Sequence, residues 1–286
     1  MTFDAAFPSD PGETAALQPR ARGHIALGVK AADGRTRLAR LRHQGSAKCL
    51  LPRLPDNADG RIEGVVVNTA GGITGGDRFL WEAETGPGTR LSLTTQAAER
   101  AYRAHPGEIG RLETRLTLGP DSTLAWLPQE TILYDRGALE RRLSVDMDPS
   151  ATLLALEPLV LGRAAMGETV ENARLIDRWQ IRRDGRLVFA DTLRLDGPVA
   201  EIAARPACFG PNRAGASLVL VAPFAADRLA AARAAIDTTD MEGGASGWDD
   251  LLAIRLLALD ALRLRRALAD LLIALAIVPL PSVWKL

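Results

Sequence analysis

The sequence predicts a mainly β protein of many short strands, with a long helix near the C-terminus. Three observations carry that reading. Segments that alternate or run apolar recur along residues 21–225. Clusters of Gly, Pro and Asp separate them, as turns between short strands require. From about residue 226 the composition shifts to Ala, Leu, Arg and Asp, residues that favour helix or its first turn.

In chain order, residues 1–20 carry Pro8, Pro11, Gly12 and Pro19 in a polar setting and are expected to form a flexible arm. Residues 21–286 read as one domain, β-rich over 21–225 and helical over 226–286. Ile25 to Val29, Cys49 to Leu51 and Gly64 to Val67 are the first expected strands. Leu91-Ser92-Leu93-Thr94, Leu116-Thr117-Leu118 and Leu143 to Met147 alternate, as half-buried strands do. Ala151 to Leu156 is nearly all apolar, the pattern of a strand covered on both faces. Gly86-Pro87-Gly88, Gly119-Pro120-Asp121 and Asp148-Pro149-Ser150 supply turns. Asp184-Gly185 is a pair that a two-residue type I′ hairpin prefers, so Asp177 to Ile181 should return along Leu187 to Phe189. Leu218 to Val221 is the last expected strand. Ser246 reads as an N-cap and Trp248 to Ile277 as a long helix, apolar over more than the usual stripe. Its residues Trp248, Leu252, Leu256 and Leu259 are the candidate docking face for a protein partner.

Totals exclude several classes. Lys+Arg and Asp+Glu both number 35, so the whole chain has no net charge to attract nucleic acid or an anionic membrane. Its two cysteines, Cys49 and Cys208, form no metal or redox motif, which fits a reducing compartment. No secretory leader pattern opens the chain, and the apolar run from Leu271 to Val283 is too short to span a bilayer. These features lead us to expect a cytoplasmic protein.

The most unusual segment is Val67-Asn68-Thr69-Ala70-Gly71-Gly72-Ile73-Thr74-Gly75-Gly76-Asp77. A strand runs into two glycine pairs, Gly71-Gly72 and Gly75-Gly76, and then a carboxylate. Glycines at this density permit unusual backbone angles and close approach of other groups. Asp77 and Arg78 stand where a phosphate-binding loop needs Lys and Ser or Thr, so this is no P-loop. His24, His43 and His105 are not spaced as a zinc site. Carboxylates are the better candidates for chemistry: Asp77, Glu130, Asp135 and Glu168. Two of them would suit a glycoside acid–base pair or a hard oxygen site for a divalent ion. Singly, each reads as a turn cap or an ion-pair partner, with Arg163 a natural mate for Glu168. The aromatic content of 5% leaves little for a sugar platform.

Four blocks in order resemble the urease accessory protein family UreD, also called UreH. They are Asn68 to Asp77, Thr94 to Arg103, Trp126 to Asp135 and Leu161 to Glu168. The ending Leu280-Pro281-Ser282-Val283-Trp284 is similar to the family's closing motif, with Ser282 where a basic residue is expected. The resemblance implies a β-helix-like scaffold without catalysis or a tightly bound cofactor. It implies a partner, UreF, and through it the GTPase UreG, the assembly docking on apo-urease to deliver nickel. On that reading Asp77, Glu130, Asp135 and Glu168 line or buttress a weak, transient Ni(II) passage. The alternatives are a scaffold that binds only protein, or a β-helix carbohydrate-active enzyme.

Overall fold

Each apolar run of the sequence becomes a strand with a face toward a shared interior. The computed structural model describes residues 19–54 and 59–284, so the expected arm lies outside it except for Pro19 and Arg20. β1 (Arg22–Ala32) and β2 (Arg35–Gly45) form a hairpin through Asp33-Gly34. β3 (Ala47–Leu50) belongs to the facing sheet, paired with β4 (Ile62–Asn68). From there the chain coils between two sheets. It passes through β5 (Arg78–Thr85), β6 (Arg90–Thr95), a short β7 (Glu99–Ala101) and β8 (Gly110–Leu118). It continues through β9 (Thr123–Trp126), a short β10 (Thr131–Leu133), β11 (Ala138–Met147), β12 (Thr152–Leu161) and β13 (Asn172–Arg183). Successive coils pair in parallel: β1-β5-β8-β11-β13 in one sheet and β4-β6-β9-β12 in the other. Two sheets wound in this way make a β-solenoid-like scaffold, as the resemblance implied.

Antiparallel strands extend both sheets. β14 (Arg186–Pro198) returns beside β13 through Asp184 (φ 51°) and Gly185 (φ 71°), the hairpin the sequence predicts. After α1 (Val199–Ala203), β15 (Ala214–Val221) pairs with β12. α2 (Leu229–Asp237), β16 (Glu242–Trp248), β17 (Leu251–Ala258) and α3 (Ala261–Leu275) complete the chain's main elements. The three expected turns stack at one corner of the coil: the Gly88 amide donates to the Pro120 carbonyl (2.9 Å) and the Asp121 amide to Ser150 Oγ (2.8 Å).

The interior has two layers. One lies between the sheets, around Leu27, Trp81, Leu116, Trp126, Leu143 and Trp179. The other lies between the β12–β15–β17 sheet and α3, around Leu154, Leu218, Leu252, Leu264, Leu268 and Leu272. β12 sits between both layers and is buried at all ten of its positions, which is why its sequence is apolar except for Thr152 and Glu157.

The C-terminal quarter corrects the sequence reading. Trp248 to Ile277 is not one helix, and 226–286 is not wholly helical. Gly243 to Gly247 lie in β16, so Ser246 is no N-cap, and β17 pairs with β15 and β16. The helix starts after Asp260, whose carboxylate accepts from the Arg263 amide at 2.9 Å. Leu252 and Leu256 are 0% and 3% exposed and pack in the second layer, so they form no docking face. Trp248 and Leu259 are 45% and 48% exposed. No helix among the described residues is long and apolar enough to cross a membrane.

Candidate functional site

The four sequence blocks are the connections that carry each coil from the second sheet to the first, and they stack at the corner opposite the predicted turns. A narrow ladder joins them: β7 pairs with β10, β10 with β12, and Ile73 bridges to Ala101. The glycine loop 69–77 sits on this ladder. A side chain at Gly72 would meet the Tyr102 ring at 2.2 Å, so only glycine allows that ring to lie against the loop. Gly76 has φ +82° and turns the chain into β5. Tyr102 in turn donates from its hydroxyl to the Gly71 carbonyl (3.1 Å).

Asp77 ties the loop down. One carboxylate oxygen accepts from the Thr74 amide (2.8 Å) and the other from the Ala21 amide (2.7 Å), and the side chain is buried. Glu168 is bound to Arg163 through the guanidinium (2.8 Å) and backbone amide (3.0 Å) and also accepts from the Asp135 amide. The Arg163 hydrogen bonds hold Glu168 below the usual carboxylate range. Arg163 also lies over the Tyr134 ring, 4.3 Å from its centre, and Tyr134 meets Tyr102 edge to face. Asp135 accepts from the Asn172 amide (3.0 Å). Glu130 is 3.8 Å from Arg265. Thus Asp77, Asp135 and Glu168 fasten the stacked connections, while Glu130 faces the C-terminal helix.

Beneath the stack runs a cavity of about 120 Å³. Its lining passes from exposed Gly71, Gln96 and Ala97, past Asn68 and Glu99, to buried Trp126 and Glu157. None of the four sequence-predicted carboxylates lines it. Two others do. Glu99 receives Asn68 Nδ2 on both oxygens (3.2 Å each). Burial pushes its carboxyl up to about 7, against the lowering effect of that donor. Glu157, from the middle of β12, accepts from Trp126 Nε1 (2.8 Å) and pairs with Arg141 (2.6 Å). Burial likewise raises it to about 7. Arg141 is shared with Asp177 (2.6 Å) and donates to Thr131 Oγ1 (2.9 Å). One cation between two carboxylates leaves this interior cluster short of positive charge, with Asp177 Oδ1 and Arg141 Nε buried without hydrogen-bond partners. Gln129, at the cavity wall, also has a buried Nε2 without a partner.

Soft donors are absent from this lining. Cys49 is buried and outside the lining, and its thiol is pushed up to about 11 by burial, so it stays protonated. His24 pairs with Glu82 and His43 accepts from the Cys49 amide. Among the described residues no three His, Cys, Asp or Glu side chains gather as a preformed metal centre. The C-terminal segment closes the rear of the site. Trp284 Nε1 donates to the Leu127 carbonyl (3.0 Å), and Ser282 Oγ to Glu63 (2.6 Å).

Fold and site together define a solenoid scaffold whose stacked connections lie over a cavity lined by Glu99, Arg100 and Glu157. Residues 21–285 match the family model described as UreD urease accessory protein. A urease accessory protein UreD of Rhizobium leguminosarum bv. trifolii is 48% identical over 93% of this chain and 94% of its own length. Relatives of the same name from Xanthobacter autotrophicus and Methylobacterium sp. are 44% and 46% identical, covering 99% and 97% of this chain and 99% of each relative. The chain belongs to the UreD family of urease accessory proteins.

Proposed function

We propose that this protein is a non-catalytic maturation factor that joins UreF, and through it UreG, on apo-urease and helps nickel reach the urease metallocentre. The observation that carries the nickel part is the cavity under the family's own sequence blocks, with half-buried Glu99 and buried Glu157 in its lining. A conduit must bind its cargo weakly. Carboxylate and amide oxygens without thiolate or imidazole give Ni(II) that kind of site. In this account Glu99 and Glu157 face the cargo, with Asn68 and Gln129 beside them. Asp77, Asp135 and Glu168 buttress the corner, and Glu130 acts through its contact with Arg265. Trp248 and Leu259, with the exposed α3 residues Leu262 and Ile273, are the apolar surface offered to a protein partner. The setting is the cytoplasm.

One observation favours a second reading, a scaffold that binds protein alone: no cluster of three metal-binding side chains exists among the described residues. Co-expression with UreF, followed by size-exclusion chromatography with light scattering, tests the shared part of both. A stable mixed complex is expected. A chain that elutes alone beside UreF overturns the adaptor role.

A further inference from the structure

The chain is neutral overall, yet its first hairpin is not. β1 and β2 together contain no acidic residue, and Asp33 in the turn between them is the hairpin's one carboxylate. Lys30, Arg35, Arg37, Arg40 and Arg42 are all exposed. Lys30 and Arg37 stand directly opposite in the β1–β2 register, a like-charge pairing that costs stability. Of the five, only Arg40 has a carboxylate within 4 Å among the described residues, Glu84 at 3.9 Å, and both side chains of that pair are more than half exposed. An isolated charge is enough to discourage edge-to-edge association. Five cations on two neighbouring strands exceed that need.

β2 is also an edge. It ends the order of its seven-stranded sheet and pairs only with β1. At its start the Thr36 amide is taken by the Gly60 carbonyl, and Thr36 Oγ1 accepts from the Arg90 amide. Beyond that point, from Leu38 to Gln44, the outer side of the strand has no strand beside it among the described residues. A register shift at Gly28/Val29 leaves Ala39 unmatched and re-aims the strand, so that Arg40 and Arg42 alternate on its surface as Arg35 and Arg37 do before it. Outward residues two apart on a strand sit about 7 Å from one another. That spacing matches alternate side chains of a second extended chain.

We propose that the free edge of β2 is a docking site for an acidic, extended polypeptide segment of a partner protein, added as a further strand and held by Arg35, Arg37, Arg40, Arg42 and Lys30. Charge complementarity identifies the occupant. Main-chain pairing along the edge supplies register, and alternate Asp or Glu side chains meet the cations. Nucleic acid fits less well, because the hairpin has no Phe, Tyr or Trp on which a base could stack.

The test uses the full chain and a short fluorescein-labelled peptide of alternating Glu and Thr, read by fluorescence anisotropy. Saturable binding that weakens as salt rises is expected. Arg37→Glu/Arg42→Glu should weaken it by about tenfold or more. Arg178→Glu, at an exposed position of β13 in the same sheet, should leave it nearly unchanged. The neutral variant Arg37→Gln/Arg42→Gln should fall between, and circular dichroism of all variants should match the parent. Peptide should also slow amide hydrogen exchange along residues 38–44. Absence of peptide binding at low salt would overturn the proposal. So would equal binding of a double-stranded DNA oligonucleotide, indifference to the β2 charge reversal, or binding without protection of the β2 amides.

Discussion

Replacing Arg141 by Met should destabilise this protein more than any single change at its surface, and the loss should depend on pH. Arg141 is 3% exposed and lies 2.6 Å from both Glu157 and Asp177, whose side chains are 6% and 7% exposed. The attraction of Asp177 and Glu157 raises the guanidinium's pKa above its ordinary value despite the larger opposing effect of burial. Methionine fills a similar volume but leaves two buried carboxylates without their cation. Breaking a buried pair in this way costs about 3–5 kcal/mol, or a fall in melting temperature on the order of 10 °C for a chain of this size. Glu157, already raised to about 7 by burial, then also loses the cation that lowers it, so its folded pKa rises further above the unfolded value near 4.5. A raised carboxyl pKa contributes stability that is full below the unfolded pKa and is lost as pH climbs through the folded one. The deficit of Arg141→Met should therefore be small at pH 5 and largest above pH 7. The triple variant Arg141→Met/Glu157→Gln/Asp177→Asn should recover much of it and show little pH dependence. Thermal melts of the three proteins from pH 5 to 8 decide the matter. A single variant that melts with the parent, or a deficit equal at all pH values, would refute the assignment of a buried network held together by Arg141.

Three further outcomes follow from the same geometry. The folded pKa of Glu99, near 7 through burial, implies that the parent loses stability as pH rises from about 4.5 to 7; Glu99→Gln should flatten that part of the pH–melting profile and melt higher than the parent at pH 8. Asp77→Asn retains only one of the two acceptor oxygens that hold the Ala21 and Thr74 amides, and should cost about 1–3 kcal/mol. Its expected signature is faster proteolysis at the start of β1, checked by limited digestion and mass spectrometry. Leu256→Asp should prevent soluble folding because the site is in the second layer, whereas Ile273→Asp, at a position 62% exposed, should leave the far-ultraviolet spectrum and the melt unchanged.

The solenoid's strands and turns were legible because each strand is short and bounded by residues with one physical use. Asp184-Gly185 is the clearest case: both residues take positive φ, as the hairpin requires. The coil itself was not legible, since turns recur at unequal intervals and no repeat of fixed length marks them. β17 misled for a different reason. Leu251-Leu252-Ala253-Ile254-Arg255-Leu256-Leu257-Ala258 satisfies both a strand period and a broad helical face, and its Ala and Leu content favours helix. Pairing with β15 and β16, which buries Leu252, Ile254, Leu256 and Ala258 on one face, overrode that preference.

The corner was legible as motifs, and its division of labour was not. Asp77, Asp135 and Glu168 stand out in sequence because they end loops, and loop ends are where carboxylates hold backbone amides. The cavity acids lay in plain view under weaker signals. Glu157 interrupts an otherwise apolar strand between Leu156 and Pro158, and a lone carboxylate in such a run must find a buried partner. Glu99 follows Ala97-Ala98 inside a recognised block. Nothing local indicates that Asn68, 31 positions earlier, donates to it.

The central claim is that the acid-lined cavity, and not the loop-end carboxylates, carries nickel during urease maturation. Activation of urease co-expressed with this protein and its UreF and UreG partners, measured across a nickel titration with the parent and with Glu99→Gln, tests it most directly. The account predicts several-fold lower activation at limiting nickel, recovery at excess nickel, and an assembly of unchanged size. Parent-like activation by Glu99→Gln at every nickel concentration would contradict it and leave a scaffold that binds protein alone.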